Sequence, residues 1–207
     1  MTFLKRRVAH LTPRYIVNRL TVMVDERLHP THPWLTRDAV KILSSLIKPS
    51  DVGVEFGSGR STKWFAQRLS HLTSIENNEL WYEKVVHELN RAGLSGKVDY
   101  RLRKDDDDYV EQAQSFLDDS VDFCLVDGAV RDRCALLMLS KIRRGGGMVV
   151  DNVNWYLPND FTFSPDSRRT SDGCANDAWQ QFAGAVKSWR VIWTSNGVTD
   201  TAIWIKS

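Results

Sequence analysis

Three cysteines, Cys124, Cys134 and Cys174, are all that the 207 residues contain. They form no C-x-x-C pair and their number is odd. That argues against a zinc site and a disulfide framework, and it leads us to expect a reducing, cytoplasmic setting. No apolar run approaches the roughly 20 residues a membrane span needs, and no signal-peptide core follows the early basic residues. Charge of one sign is also lacking. Lysine and arginine number 28 against 26 acidic residues, and no long basic run stands beyond the N-terminus, so a dedicated nucleic-acid binder is not expected. The exception is local: residues 1–24 carry Lys5, Arg6, Arg7, Arg14 and Arg19 and no carboxylate.

What is present is an alternation of apolar runs and helical patterns, which predicts one α/β domain with a parallel sheet covered on both faces. The strands read as Val52–Phe56, Leu72–Ile75, Val98–Leu102, Val121–Val126 and Met148–Val150, the last preceded by a turn at Gly145-Gly146-Gly147. Helices are expected from Ser61 to Leu69, through Leu80, Val85 and Leu89, through Tyr109 and Phe116, and from Asp132 to Ile142. Gly93 and Gly96 supply stops for the second of these. Val191–Thr194 and Thr201–Ile205 flank Asn196-Gly197, a hairpin signal. Residues 1–48 read as a helical cap segment and 49–207 as the main domain. Eight tryptophans are many for this length, and most are expected to anchor core or loops.

The first strand ends in Glu55-Phe56-Gly57-Ser58-Gly59-Arg60-Ser61-Thr62. Glycine permits a tight turn and close approach of the backbone to a ligand, and the helix start offers unpaired N–H groups. A dinucleotide fold would want a third glycine, in G-x-G-x-x-G, where Thr62 stands. The segment instead resembles motif I of the class I S-adenosylmethionine-dependent methyltransferases. The closing hairpin likewise resembles their seven-stranded, mostly parallel sheet with an antiparallel end. This Rossmann-like resemblance implies cofactor contacts at Glu55, Gly57, Ser58, Gly59, Ser61 and Thr62. Glu76 would serve the ribose hydroxyls, Asp105 or Asp106 the adenine amino group, and Asp127 would lie nearby. The Asp105–Asp108 run reads equally as a solvated turn and helix cap.

A second resemblance rests on Leu125-Val126-Asp127-Gly128 and Gly146-Gly147-Met148-Val149-Val150-Asp151-Asn152-Val153, which look like the metal-dependent catechol O-methyltransferase group. It implies that Asp127, Asp151 and Asn152 form an all-oxygen set for Mg²⁺ or another divalent cation. Asp127 would then take part in catalysis. The lysine that group places three residues after the aspartate is Val130 here, followed by Arg131, and an arginine cannot act as a base near neutral pH. Either a metal acidifies the acceptor unaided or another residue takes the proton. His32, in His29-Pro30-Thr31-His32-Pro33-Trp34, is the candidate, with a structural role in the cap as its other reading.

Together these readings predict a methyltransferase acting on a hydroxyl of a small molecule or glycan. A metal-free transferase, a NAD-dependent oxidoreductase and a non-catalytic binding module are the alternatives. Nucleic acid is not expected as acceptor: the aromatic-proline tetrapeptide of amino-group methyltransferases is missing where Asp127-Gly128-Ala129-Val130 stands. Residues 154–176 lack periodicity and read as a lid or binding loop bearing Trp155, Tyr156, Phe161 and Phe163. The basic, amphipathic N-terminus suits contact with an anionic membrane surface, cover for the active site, or a homodimer contact.

Overall fold

A computed structural model describes residues 12–207. It contains, in chain order, α1 (Pro13–Leu28), α2 (Arg37–Leu46), β1 (Val52–Phe56), α3 (Arg60–Ala66), β2 (His71–Glu76), α4 (Glu79–Ala92) and β3 (Val98–Leu102). There follow α5 (Asp106–Glu111), β4 (Val121–Val126), α6 (Arg131–Met138), β5 (Ile142–Asp151), α7 (Asp177–Ala185), β6 (Arg190–Ser195) and β7 (Asp200–Ile205). The seven strands form one sheet in the order β3-β2-β1-β4-β5-β7-β6. β1 to β5 pair in parallel, and β7 runs antiparallel to both β5 and β6. Strand order reverses between β1 and β4, which opens a crevice at the carboxyl ends of those strands.

Alternation along the central strands divides the core in two. Val54, Phe56, Cys124, Val126, Met148 and Val150 face α5, α6 and α7, meeting Tyr109, Met138, Trp179 and Phe182. Phe123, Leu125 and Val149 point the other way, onto Ala39, Val40 and Leu43 of α2 and Trp64 and Phe65 of α3. Such two-sided burial is why the central strands read as nearly continuous apolar runs. The interrupting Asp122 has a local purpose: Oδ2 accepts the Val52 N–H at 2.8 Å, and its other oxygen pairs with Arg143. Because α2 shares a core with the sheet, the cap segment is bound to the main domain by more than its linker.

Several boundaries differ from expectation. β5 begins at Ile142, and the triple glycine lies inside it. Gly145 N–H donates to Lys206 O, and Lys206 N–H donates back to Gly146 O. Ile142 pairs with Val121 across a register shift, so a bulged strand occupies the place of the predicted turn. The preceding helix stops at Met138 to make room. Gly93, with φ +68°, ends α4 as predicted, whereas Gly96 sits in a separate short turn. Pro13 takes the first position of α1, behind Thr12 as cap, where its missing N–H costs nothing. Lys5, Arg6 and Arg7 lie outside the described residues.

Candidate cofactor and acceptor site

The turn after β1 is built from the strand outward. Gly57 N–H donates to Ile75 O, and the chain turns at φ +92°. A Cβ on Gly57 would come within 2.5 Å of Gly128 Cα, and one on Gly128 within 2.7 Å of Gly57 N. The turns after β1 and β4 therefore touch backbone to backbone. Gly59 differs: a Cβ there would meet only Trp81, at an ordinary 3.6 Å. The protein itself leaves that space open, as a cradle for a ligand requires.

Thr62, at the missing third glycine, fastens the turn. Its hydroxyl accepts the Gly59 N–H at 2.9 Å and donates to Glu55 Oε2 at 2.7 Å, and the Ser74 hydroxyl donates to the same oxygen. Burial raises the pKa of Glu55 to about 7, opposed by the neighbouring hydroxyls of Ser61, Thr62 and Ser74. Glu55 is wholly buried, and its Oε1 has no partner among the described residues. The carboxyl thus braces the loop, and one orphaned oxygen remains that an ammonium group or a proton would satisfy.

Glu76 closes over the same turn from the end of β2. Oε2 accepts the Ser58 N–H at 3.0 Å and hydroxyl at 2.6 Å, while Oε1 accepts the N–H groups of Asn77 and Asn78. All four lone-pair positions of the carboxylate are engaged. The Ser58 hydroxyl also lies 2.6 Å from the Tyr100 hydroxyl, and the Trp81 indole donates to Ser58 O. Asp105 caps α5, accepting from Asp107 N and Asp108 N, and Asp106 follows it exposed in the first turn. Nothing in the sequence marked Tyr100, Trp81 or Tyr109 for this site. The Tyr109 hydroxyl lies against Gly128, buried and with no hydrogen-bond partner among the described residues.

Asp127, Asp151 and Asn152 come together at the ends of β4 and β5, with Arg131 between them. Its Nη2 donates to Asp127 O at 2.9 Å and forms an ion pair with Asp127 Oδ1 at 2.9 Å. Nη1 donates to Asn152 Oδ1 at 3.0 Å and Asp151 O at 2.6 Å, and Nε to Gly128 O at 3.0 Å. Four hydrogen bonds and an ion pair hold the guanidinium in this one corner. Thr201 donates to Asp151 Oδ1 at 2.6 Å, and the Asn152 amide nitrogen donates to Thr199. Burial raises the pKa of both aspartates. Arg131 opposes this at Asp127, whereas Asp151 is raised further by repulsion from Asp127.

The expected magnesium set does not fit this arrangement. Mg²⁺ demands near-octahedral oxygens at about 2.0–2.1 Å. Here Asp127 Oδ1 is paired with the Arg131 guanidinium and Asn152 Oδ1 accepts from it, and that fixed positive charge would repel a dication. Among the described residues, no group of three or more His, Cys, Asp and Glu is placed to hold a metal. Arg131 was visible in the sequence only as a residue unable to act as a base. No helical spacing signalled the pairing, because Asp127 lies ahead of α6, Arg131 is that helix's first residue, and the left-handed Val130 stands between them.

Beside this corner lies a cavity of about 510 Å³ whose lining includes His32, Trp34, Trp155, Asn152 and Thr199. The polar face of α1 roofs it. His32 stacks on His29 at 4.8 Å, and partial burial, with His29 beside it, lowers its pKa. The predicted base is therefore neutral at pH 7 and faces the same cavity as Asn152. Trp155 of the 154–176 segment lines it too, while Phe161 and Phe163 point away and are exposed.

Solved structures share this fold. A methyltransferase from Geobacter sulfurreducens matches at 14% identity over 99% of this chain and 96% of its own, with a TM-score of 0.57. The fold is that of the class I methyltransferases. A SAM-dependent O-methyltransferase from Thermotoga maritima matches this methyltransferase fold at 13% identity, over 88% of this chain and 70% of its own, with a TM-score of 0.55. A precorrin 8W decarboxylase from Methanobacterium thermoautotrophicum does so at 16%, over 84% and 90%, with a TM-score of 0.55. The sequence matches no family model and no curated protein.

Proposed function

We propose that the chain is an S-adenosylmethionine-dependent methyltransferase acting on a hydroxyl of a small molecule or glycan. The observation that carries this reading is the juxtaposition of an open glycine turn, flanked by Glu55 and Glu76, with a separate cavity that holds a neutral histidine. Two sites side by side are what a donor and an acceptor need.

Gly57, Ser58 and Gly59 would hold the cofactor's amino-acid part, with the orphaned Oε1 of Glu55 close behind the turn. Glu76 would take the ribose, a diol oxygen replacing the Ser58 hydroxyl, and Asp105 or Asp106 would bound the adenine. When bound, the cofactor supplies a methyl group already activated on a sulfonium, so the protein's contribution is mainly approach and orientation. His32 accepts the acceptor's hydroxyl proton at a ring nitrogen. Trp34 and Trp155 offer aromatic faces to a sugar or aromatic ring. Arg131 fixes Asp127 and Asn152 at the wall between the two sites, in the position expected of the divalent ion.

Calorimetric titration with S-adenosylhomocysteine and with NAD tests the reading. Binding of S-adenosylhomocysteine, weakened at least tenfold by Glu76→Ala, is expected. Binding of NAD alone would overturn it and restore the oxidoreductase alternative.

A further inference from the structure

Helix α1 is amphipathic in the inverse sense. Its half-buried positions are Tyr15, Asn18, Val22, Asp25, Glu26 and His29, which recur at helical spacing and line the 510 Å³ cavity. Five of these six are polar or charged. Its exposed positions include Ile16, Val17, Leu20, Met23, Val24 and Leu28, the last with 71% of its surface open. None of its residues is fully buried. A helix that owed its place to the core would turn these two faces the other way.

The outward face is also charged in one sense only. Arg27 is exposed on it, and Arg14 and Arg19 are exposed along its edges, Arg19 also lining the cavity, while both carboxylates of α1 turn inward, Asp25 toward His29 and Arg37. In the sequence Lys5, Arg6 and Arg7 precede it. The lid segment extends the same face: Phe161 is 90% exposed, Phe163 is also exposed, and the Arg14 guanidinium lies 4.1 Å from the Phe163 ring centroid. Asp160, the carboxylate next to Phe161, is tied to Thr170. A second copy of this chain on the same patch would set arginine against arginine with no outward carboxylate on either helix to receive them. An anionic lipid surface complements both features: acyl chains meet the apolar stripe and Phe161, and headgroups meet the arginines.

We propose that the outer face of α1, together with Phe161 and Phe163, docks on an anionic membrane surface. Docking would set the cavity beneath α1 at the lipid interface, so an acceptor held there would be lipid-borne or concentrated near headgroups. That last consequence rests on the methyltransferase reading, whereas the docking does not.

The test is co-sedimentation of the full chain with vesicles of phosphatidylcholine alone and of phosphatidylcholine mixed with phosphatidylglycerol. Binding to the mixed vesicles, at least tenfold weaker to phosphatidylcholine alone and reduced by added salt, is expected. Leu20→Glu and the pair Arg14→Glu, Arg19→Glu should each weaken it at least tenfold. Their unchanged melting temperatures would show that the fold is kept, since these positions are exposed. Phe161→Trp should show blue-shifted emission on the mixed vesicles. Binding insensitive to Leu20→Glu would overturn the proposal. So would failure to bind by a protein that sediments as a dimer and becomes monomeric with Leu20→Glu, which would make the face a subunit interface. Cofactor titration reads the methyltransferase assignment separately, so either can fail alone.

Discussion

Replacing Arg131 by methionine keeps the aliphatic stem and removes the charge and all five donors. The guanidinium is only 14% exposed and its ion-pair partner Asp127 27% exposed. Losing one member of a buried, hydrogen-bonded pair costs about 3–5 kcal/mol, and the lower end applies where one partner retains some solvent. Since about 1 kcal/mol moves the melting temperature of a chain this size by 2–4 °C, a fall of about 6–12 °C is expected. A second effect follows from the geometry. In the variant, Asp127, Asp151 and Asn152 regain oxygens that the guanidinium had occupied, and an all-oxygen set with two carboxylates can accept Mg²⁺. At tenfold over its dissociation constant, Mg²⁺ would return about 1.4 kcal/mol of stability, or about 3–6 °C. The assay is a melting curve of each protein with chelator and then with Mg²⁺. Wild type should be indifferent to Mg²⁺, and Arg131→Met should rise. Equal stabilisation of both proteins, or a loss below about 1 kcal/mol on substitution, would refute the view that the arginine fills the ion's place.

Tyr109→Phe removes a buried hydroxyl that has no partner among the described residues. Stability should hold or rise by up to about 1 kcal/mol in denaturant unfolding, because an unpaired buried polar group is unfavourable; a loss above 1 kcal/mol would show that the hydroxyl is satisfied after all. The pH dependence of stability carries a sign fixed by Glu55. Its pKa rises from 4.5 unfolded to about 7 in the fold, so the native state holds the proton longer. Stability should therefore fall as pH climbs from about 4.5 to 7, by at most about 1.4 kcal/mol per unit from this group. The raised aspartates add in the same direction. Glu55→Gln should flatten this decline in unfolding curves taken at pH 5 and pH 7, and identical slopes would exclude Glu55 as a source.

The parallel strands, the glycine turn and the closing hairpin were legible because their signals are local: continuous apolar runs, turn residues and Asn-Gly spacing. Three features were not. The bulged start of β5 depends on Lys206, which reaches Gly145 and Gly146 from the far end of the chain, and no window around the glycines contains that information. Thr62 looked like a glycine lost, yet its side chain joins Gly59 to Glu55 and so does work that a glycine could not. At the corner of Asp127, Asp151 and Asn152 the residue types alone suggested a cation between carboxylates. The structure supplies the cation from the chain itself. The inverted α1 was half visible, since its amphipathic pattern was plain while the direction of its apolar face was not.

The contact between Gly57 and Gly128 has a consequence for how this protein can change. Most crowded pairs in a core tolerate drift, because one residue can shrink when its neighbour grows. Here both partners are already the smallest residue available, and a Cβ on either would enter the other's backbone. Neither position holds any volume to give up, so no substitution at one can compensate a substitution at the other. Relief would have to come from moving β1 against β4, whose register is held from Gly53–Phe123 through Phe56–Val126. The two glycines are thus inherited together or lost together with the spacing of the central strands. The crevice between these turns is the part of the molecule least free to be remodelled, whatever happens to the cavity wall and helices around it.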